Sequence, residues 1–152
     1  MKLSPHEQEQ KKLFGPSKFS GDGFLGDDRR QPDEIIATDC EALERLVTTC
    51  ESVAALLEVT FNKAEAAYGD TIELQTGTTA TYFEARGKIP SPFHGDGVFQ
   101  KGEVVVKELQ SGKTIFITKL GIHLIRKHCF FQGIGSRYRI EVEDAVRMCG
   151  RV

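Results

Sequence analysis

The sequence predicts an α+β fold: a helical hairpin packed on a four-stranded antiparallel sheet, with short helices at its C-terminal end. Three observations lead there. Apolar residues recur at helical spacing from Pro32 to about Tyr68, they alternate through a series of β-branched segments from Thr71 to Lys119, and helical spacing then returns. Helices, strands and helices fall in separate blocks, which favours an antiparallel sheet over alternating βαβ units.

The first helix is expected from Pro32, with proline in the first turn, Asp33 and Glu34 at the positive end of the dipole, and Ile36, Cys40, Leu43 and Val47 along one face. Thr48 and Glu51 have the spacing of a capping box for a second helix. That helix carries Val53, Leu56, Leu57, Phe61, Ala64 and Tyr68 at intervals of three and four and stops at Gly69. TIELQ, TATYFEAR, EVVVKEL and TIFITK read as strands, the last two joined through Gln110, Ser111, Gly112 and Lys113. Between the second and third lies KIPSPFHGDGVFQKG, whose prolines and glycines predict an irregular loop projecting from a sheet edge. A short helix over Leu120 to His128, a glycine break at Gly133 and Gly135, and a final helix from Glu141 to Cys149 complete the order. Residues 1–30 hold two prolines and several glycines without periodicity and predict a flexible N-terminal arm; residues 31–152 form a single α+β domain.

A chain of 152 residues buries one sizeable core without help from disulfides or metal. Its composition, 39% hydrophobic and 28% charged, is that of a globular protein, and no apolar run approaches the roughly eighteen residues of a membrane span. A membrane is therefore not an expected partner. The start, MKLSPHEQEQKK, lacks the apolar core of a signal peptide, and a cytoplasmic location is the expectation. Cys40, Cys50, Cys129 and Cys149 are widely spaced with no CxxC pair, so reduced, packed thiols are expected, and neither a metal nor a cofactor is.

The net charge of -2 conceals an asymmetry: Ala85 to Arg139 holds ten Lys or Arg against Asp96, Glu103 and Glu108. Such a half either presents a basic face to an anionic partner or pairs with the acidic remainder within the molecule or in a dimer. The segment Lys119 to Arg139 is its extreme, holding His123, His128, five cations, three aromatics and no acid.

Four chemistries suit these residues. His123 and His128 stand five apart, about 140° around a helix, so they do not share a face as a zinc-binding i, i+4 pair does. Cys129 beside histidine has the elements of a nucleophile, but its neighbours Phe130 and Phe131 favour an inert buried thiol. Gly133-Ile134-Gly135-Ser136-Arg137 has the flexibility of an amide nest for phosphate, without the pattern of a P-loop; a plain glycine turn joining two elements is the favoured reading. Aromatics interleaved with cations, as at Tyr82, Phe83, Arg86 and Lys88 and again from Phe130 to Arg139, suit nucleic acid, although strand aromatics more often face a core. Glu51 to Ala67 resembles a bacterial helix-turn-helix, yet Glu58 occupies the usual turn glycine and one continuous helix accounts for the same residues.

ARGKIPSPF, a GxFxKG loop, a hairpin and IHLIRKHCFFQGIGSRYR together resemble a pattern found in small bacterial proteins with no assigned activity, over Arg29 to Val146. The resemblance implies no catalytic residue and no cofactor.

These residues favour a binding or accessory module over an enzyme. Its basic face, formed by Arg86, Lys88, Arg126, Lys127, Arg137 and Arg139, is expected to meet nucleic acid or another polyanion, with homodimerisation through apolar surface near Phe130 and Phe131. The alternative is a small metal-dependent or histidine-assisted hydrolase using His94, Asp96, His123 and His128. Whether those four side chains converge in space decides between the two.

Overall fold

The computed structural model describes Pro5 and residues 23–150. Within them the chain is α+β, with a four-stranded antiparallel sheet. Helix α1 (Pro32–Arg45) starts on its proline with Asp33 and Glu34 in the first turn. It buries Pro32, Ile35, Asp39 and Leu43, a face turned from the expected Ile36, Cys40, Leu43 and Val47. The Arg139 guanidinium causes the turn by drawing Asp39 inward, donating from its two terminal nitrogens at 2.8 and 2.9 Å to the two carboxylate oxygens.

Helix α2 (Cys50–Ala66) is capped by Thr49, whose Oγ1 accepts from the Ser52 amide at 3.1 Å. The box expected from Thr48 is one residue out of place because the Thr48 amide donates to the Leu43 carbonyl and finishes α1. The helix continues unbroken through Glu58, which removes the helix-turn-helix alternative. A short turn joins α1 to α2, and Leu43 of α1 buries in one cluster with Val53 and Leu57 of α2; α1 also packs against the last helix of the described chain.

Strands β1 (Ile72–Gln75), β2 (Thr78–Phe83), β5 (Glu103–Glu108) and β6 (Thr114–Thr118) form the sheet in the order β1-β2-β5-β6. Ala80 pairs with Val106 and Val106 with Ile115, so β-branched side chains align across one face. They bury with Val104 and Ile117 against Val53, Leu57 and Phe61 of α2. The segment expected as an irregular loop instead contains a second, two-stranded sheet of β3 (Lys88–Pro90) and β4 (Val98–Gln100). Its proline occupies the last position of a short edge strand, where no further ladder donor is required.

Helix α3 (Lys119–His128) follows β6 directly, with Thr118 Oγ1 accepting from the Gly121 amide at 2.9 Å. Cys129 ends it in the left-handed conformation. Helix α4 (Val142–Cys149) closes the described chain, and both helices pack on α2.

This side-by-side packing overturns the expectation of free cysteines at two positions. Cys50 stands at the start of α2 and Cys129 at the end of α3, which brings their Cα atoms to 5.5 Å, and they form a disulfide. Cys40 and Cys149 are free, and burial pushes the Cys149 thiol up to about 11.

A smaller core lies on the other side of α3, where Phe24, Leu25, Ile35, Leu120, Leu124 and Phe130 bury together. Phe24 and Leu25 thereby attach residues that the sequence assigned to a flexible arm; the arm before residue 23, Pro5 apart, lies outside the described residues. Phe130 and Phe131 are both fully buried, so these two side chains do not themselves form the apolar surface expected for a dimer. No helix among the described residues is long and apolar enough to cross a membrane.

Candidate functional site: an aspartate between two histidines

The turn between β3 and β4 runs along α3, and its fold follows from three polar contacts. The Ser91 amide donates to the Gly97 carbonyl, the Phe93 amide to Ser91 Oγ, and the Asp96 amide to the Phe93 carbonyl. Gly95 and Gly97, at φ 87° and 86°, supply the left-handed conformations on either side of Asp96. The result drives the Asp96 carboxylate against the helix, where its side chain is 1% exposed.

Three donors meet there. Ser91 Oγ lies 2.9 Å from Asp96 Oδ2, His128 Nε2 lies 2.7 Å from the same oxygen, and Lys127 Nζ lies 2.9 Å from Oδ1. His123 Nε2 is also 3.0 Å from Oδ2, but it is out of line for a hydrogen bond. Among the described residues this buried nitrogen has no aligned hydrogen-bond partner, only that close contact. Phe93 stacks on the His128 ring at 3.7 Å and Phe99 leans on the His123 ring at 4.8 Å, which fixes both imidazoles from the hairpin side.

Burial by itself would raise the Asp96 pKa. The hydrogen bonds of Lys127, His128 and Ser91, with the close His123 nitrogen, outweigh it and hold the carboxyl well below its usual range.

Of the four residues named for a hydrolytic site, Asp96, His123 and His128 converge and His94 does not. His94 is exposed on the same turn and takes no part in the three-residue group, whose ligand atoms all lie within 4.8 Å of one another. The 140° offset between the histidines does not separate them, because Asp96 enters from outside the helix and sits between their two faces. Lys127 and Ser91 are partners that the sequence reading missed; only the seryl turn SPFHGDG offered a signal, since serine at a turn commonly binds nearby backbone.

The donor set fits a divalent transition metal of the zinc class. Around a tetrahedral ion with bonds of about 2.1 Å, ligand atoms stand roughly 3.4 Å apart. The observed 2.7 and 3.0 Å are hydrogen-bond separations, so small ring movements suffice to admit an ion. A metal ion would bind each imidazole through its lone pair, giving the stranded His123 nitrogen a partner that Oδ2, already accepting from Ser91 and His128, does not provide.

The six cations expected to form a basic face are placed very differently from one another. Arg126 binds Glu51 at 3.2 Å and Glu58 at 3.0 Å, Arg137 binds Glu103 at 3.0 Å, and Lys127 is committed to Asp96. Arg139 is largely buried against Asp39 and Glu141. Burial works against its charge, but the two carboxylates more than compensate and its pKa rises. Of these six, only Arg86 and Lys88 are exposed and form no ion pair with another described residue. Much of the charge asymmetry along the sequence is therefore used to join the basic half to the acidic one.

The glycine run 133–135 also serves internal packing. The Ile134 amide donates to Asp28 Oδ2 at 3.1 Å, so an aspartate occupies a donor that a phosphate nest would use. A side chain at Gly133 would collide with the Leu25 carbonyl, which explains the glycine there by close backbone approach.

Comparison with family models, curated proteins and solved structures returned no match.

Proposed function

We propose that the protein binds a divalent transition metal through Asp96, His123 and His128 and uses it for hydrolysis of an acyl or phosphoryl bond. The observation that carries this reading is the meeting of two imidazole nitrogens on one oxygen of a buried carboxylate, with the His123 nitrogen unsatisfied. Three protein ligands leave a fourth position for water, and a zinc-bound water ionises near neutral pH. Ser91 and Lys127 orient the carboxylate, and Lys127, whose side chain is 55% exposed, also offers a positive charge beside the site for the developing anion.

The test is metal content. Protein purified without a histidine tag and dialysed against dilute zinc should retain about one ion per chain, lost on Asp96→Asn or on His123→Ala with His128→Ala. Retained metal should be accompanied by hydrolysis of p-nitrophenyl acetate or bis(p-nitrophenyl) phosphate. Equal metal content in the wild type and the variants refutes the site; metal without hydrolysis leaves a binding site and refutes the enzyme.

A second reading retains the notion of a polyanion or nucleic-acid partner and rests on Arg86 and Lys88, exposed and unpaired beside the β3–β4 hairpin. Binding through so few cations should weaken only modestly with added salt, since the dependence scales with the phosphates neutralised. A steep salt dependence, or binding unaffected by Arg86→Ala with Lys88→Ala, counts against it.

A further inference from the structure

A cavity of about 460 Å³ opens where the end of β2, the turn between β4 and β5 and the segment after α3 meet. Neither Asp96, His123 nor His128 lines it. Its walls include Phe24, Phe83, Ile89 and Leu120, an apolar surface of the size and character of small-molecule sites. Phe83 is 51% exposed, an unusual position for a large aromatic.

Among the polar residues that line the cavity, Gln132 is only 3% exposed and adopts φ 72°, a left-handed conformation that glutamine seldom takes. The surrounding side chains hold it there. Arg139 donates to its carbonyl at 2.7 Å while gripping Asp39 and Glu141, and Ser136 Oγ lies 2.9 Å from the side-chain amide oxygen. A primary amide has two donor and two acceptor positions. Ser136 uses one of them, whichever way the amide is turned, and no other partner exists among the described residues. A donor and an acceptor therefore stand side by side, held by a strained backbone that the Arg139 network stabilises. The charged residues of the cavity balance, Lys101 and Arg137 against Glu84 and Glu103, so it favours no net charge in its occupant.

We infer that this cavity binds an uncharged, flat heterocycle with adjacent hydrogen-bond donor and acceptor groups, a nucleobase or nucleoside, its edge read by the Gln132 amide and its faces held by Phe83 and neighbouring apolar walls. An amide is well suited to such an edge, because it donates and accepts in one plane, as glutamine does towards adenine in DNA recognition. This site is independent of the metal reading.

Saturation-transfer NMR and calorimetry on the full chain with adenosine, cytidine and uridine test it, with indole as a flat control lacking the matched edge. At least one nucleoside should bind, and it should bind more tightly than indole. Gln132→Glu, which preserves the side-chain volume and an acceptor for Ser136 but removes the amide donor, should weaken that nucleoside by about tenfold or more. Phe83→Ala alters an exposed side chain, leaves folding intact and should weaken it several-fold, which keeps the test valid where the Gln132 variant does not fold. Absence of binding by all three nucleosides, indole binding as tightly as they do, or nucleoside affinity unchanged in Phe83→Ala overturns the proposal.

Discussion

Asp28 and Asp96 are both buried carboxylates, with side chains 4% and 1% exposed, and both titrate well below the usual range; their partners differ in kind. Asp28 accepts from Arg30 Nε at 2.9 Å, from an Arg30 terminal nitrogen at 2.6 Å and from the amides of Arg30 and Ile134 at 3.1 Å each. A guanidinium and backbone amides only donate, and none gives up its proton near neutral pH. Asp96 is surrounded by the Lys127 ammonium, which only donates, and by a hydroxyl and two imidazoles, groups that can accept as well as donate after a change of rotor or tautomer. The Asp28 environment is complete and locks residues 25–30 to the glycine run. That around Asp96 retains a nitrogen without a hydrogen bond among the described residues, which is the observation behind the proposed metal site.

The sharpest break between them is the isosteric amide. At Asp28 the amide nitrogen of Asp28→Asn must face a donor that cannot become an acceptor, so two donors meet in a buried place. A loss of about 2–4 kcal/mol in urea unfolding is expected. At Asp96 the new nitrogen faces Ser91 Oγ and imidazole nitrogens, each able to accept after a change of rotor or tautomer, and Asp96→Asn should cost less than about 1.5 kcal/mol in metal-free protein. Equal losses would erase the distinction. Zinc sharpens it in the opposite sense. At one hundred times its dissociation constant it should stabilise the wild type by about 2.7 kcal/mol, stabilise Asp28→Asn by the same increment, and leave Asp96→Asn unmoved.

The two environments were not equally legible in the sequence. TIELQ, TATYFEAR, EVVVKEL and TIFITK lie on β1, β2, β5 and β6, since alternation of β-branched residues over a half-buried sheet is a local signal. Asp96, His123 and His128 were named together, but helical spacing argued against them. That argument asked the two histidines to share one helix face, and it did not foresee a hairpin turn inserting a carboxylate between two faces. Asp28 was not singled out: Arg30 is only two residues away, but such a neighbouring charge pair is common, and Ile134, which completes the set, is distant in the chain and contributes only a backbone amide. The Cys50–Cys129 bond was hidden for a similar reason: it depends on how α2 lies against α3, which no local pattern encodes. The basic half misled because charges far apart in sequence pair in space, Arg126 with Glu51 and Glu58, and Arg139 with Asp39.

The smallest effect expected is a change of slope with pH. The first and strongest influence on Asp28 is the Arg30 side chain, followed by burial acting against it and the amides of Ile134 and Arg30 acting with it; the folded-state pKa is depressed. A carboxylate with a depressed folded pKa stabilises the protein fully above its unfolded value, about 3.9, and loses that stabilisation as pH falls through the folded value. Between pH 7 and about 5 the stability gap between wild type and Asp28→Asn should therefore stay constant, because Asp28 is ionised in both folded and unfolded chains. Below about pH 4 the unfolded wild type takes up a proton that the folded form refuses, and the gap should narrow steadily. Urea unfolding of both proteins at a series of pH values reads this directly, and the subtraction removes the contribution of every other carboxylate, Asp96 included. A gap that stays flat down to pH 2 would mean that Asp28 is not held as an ion by Arg30, and the contrast between a fixed and an exchangeable partner set would lose its first half.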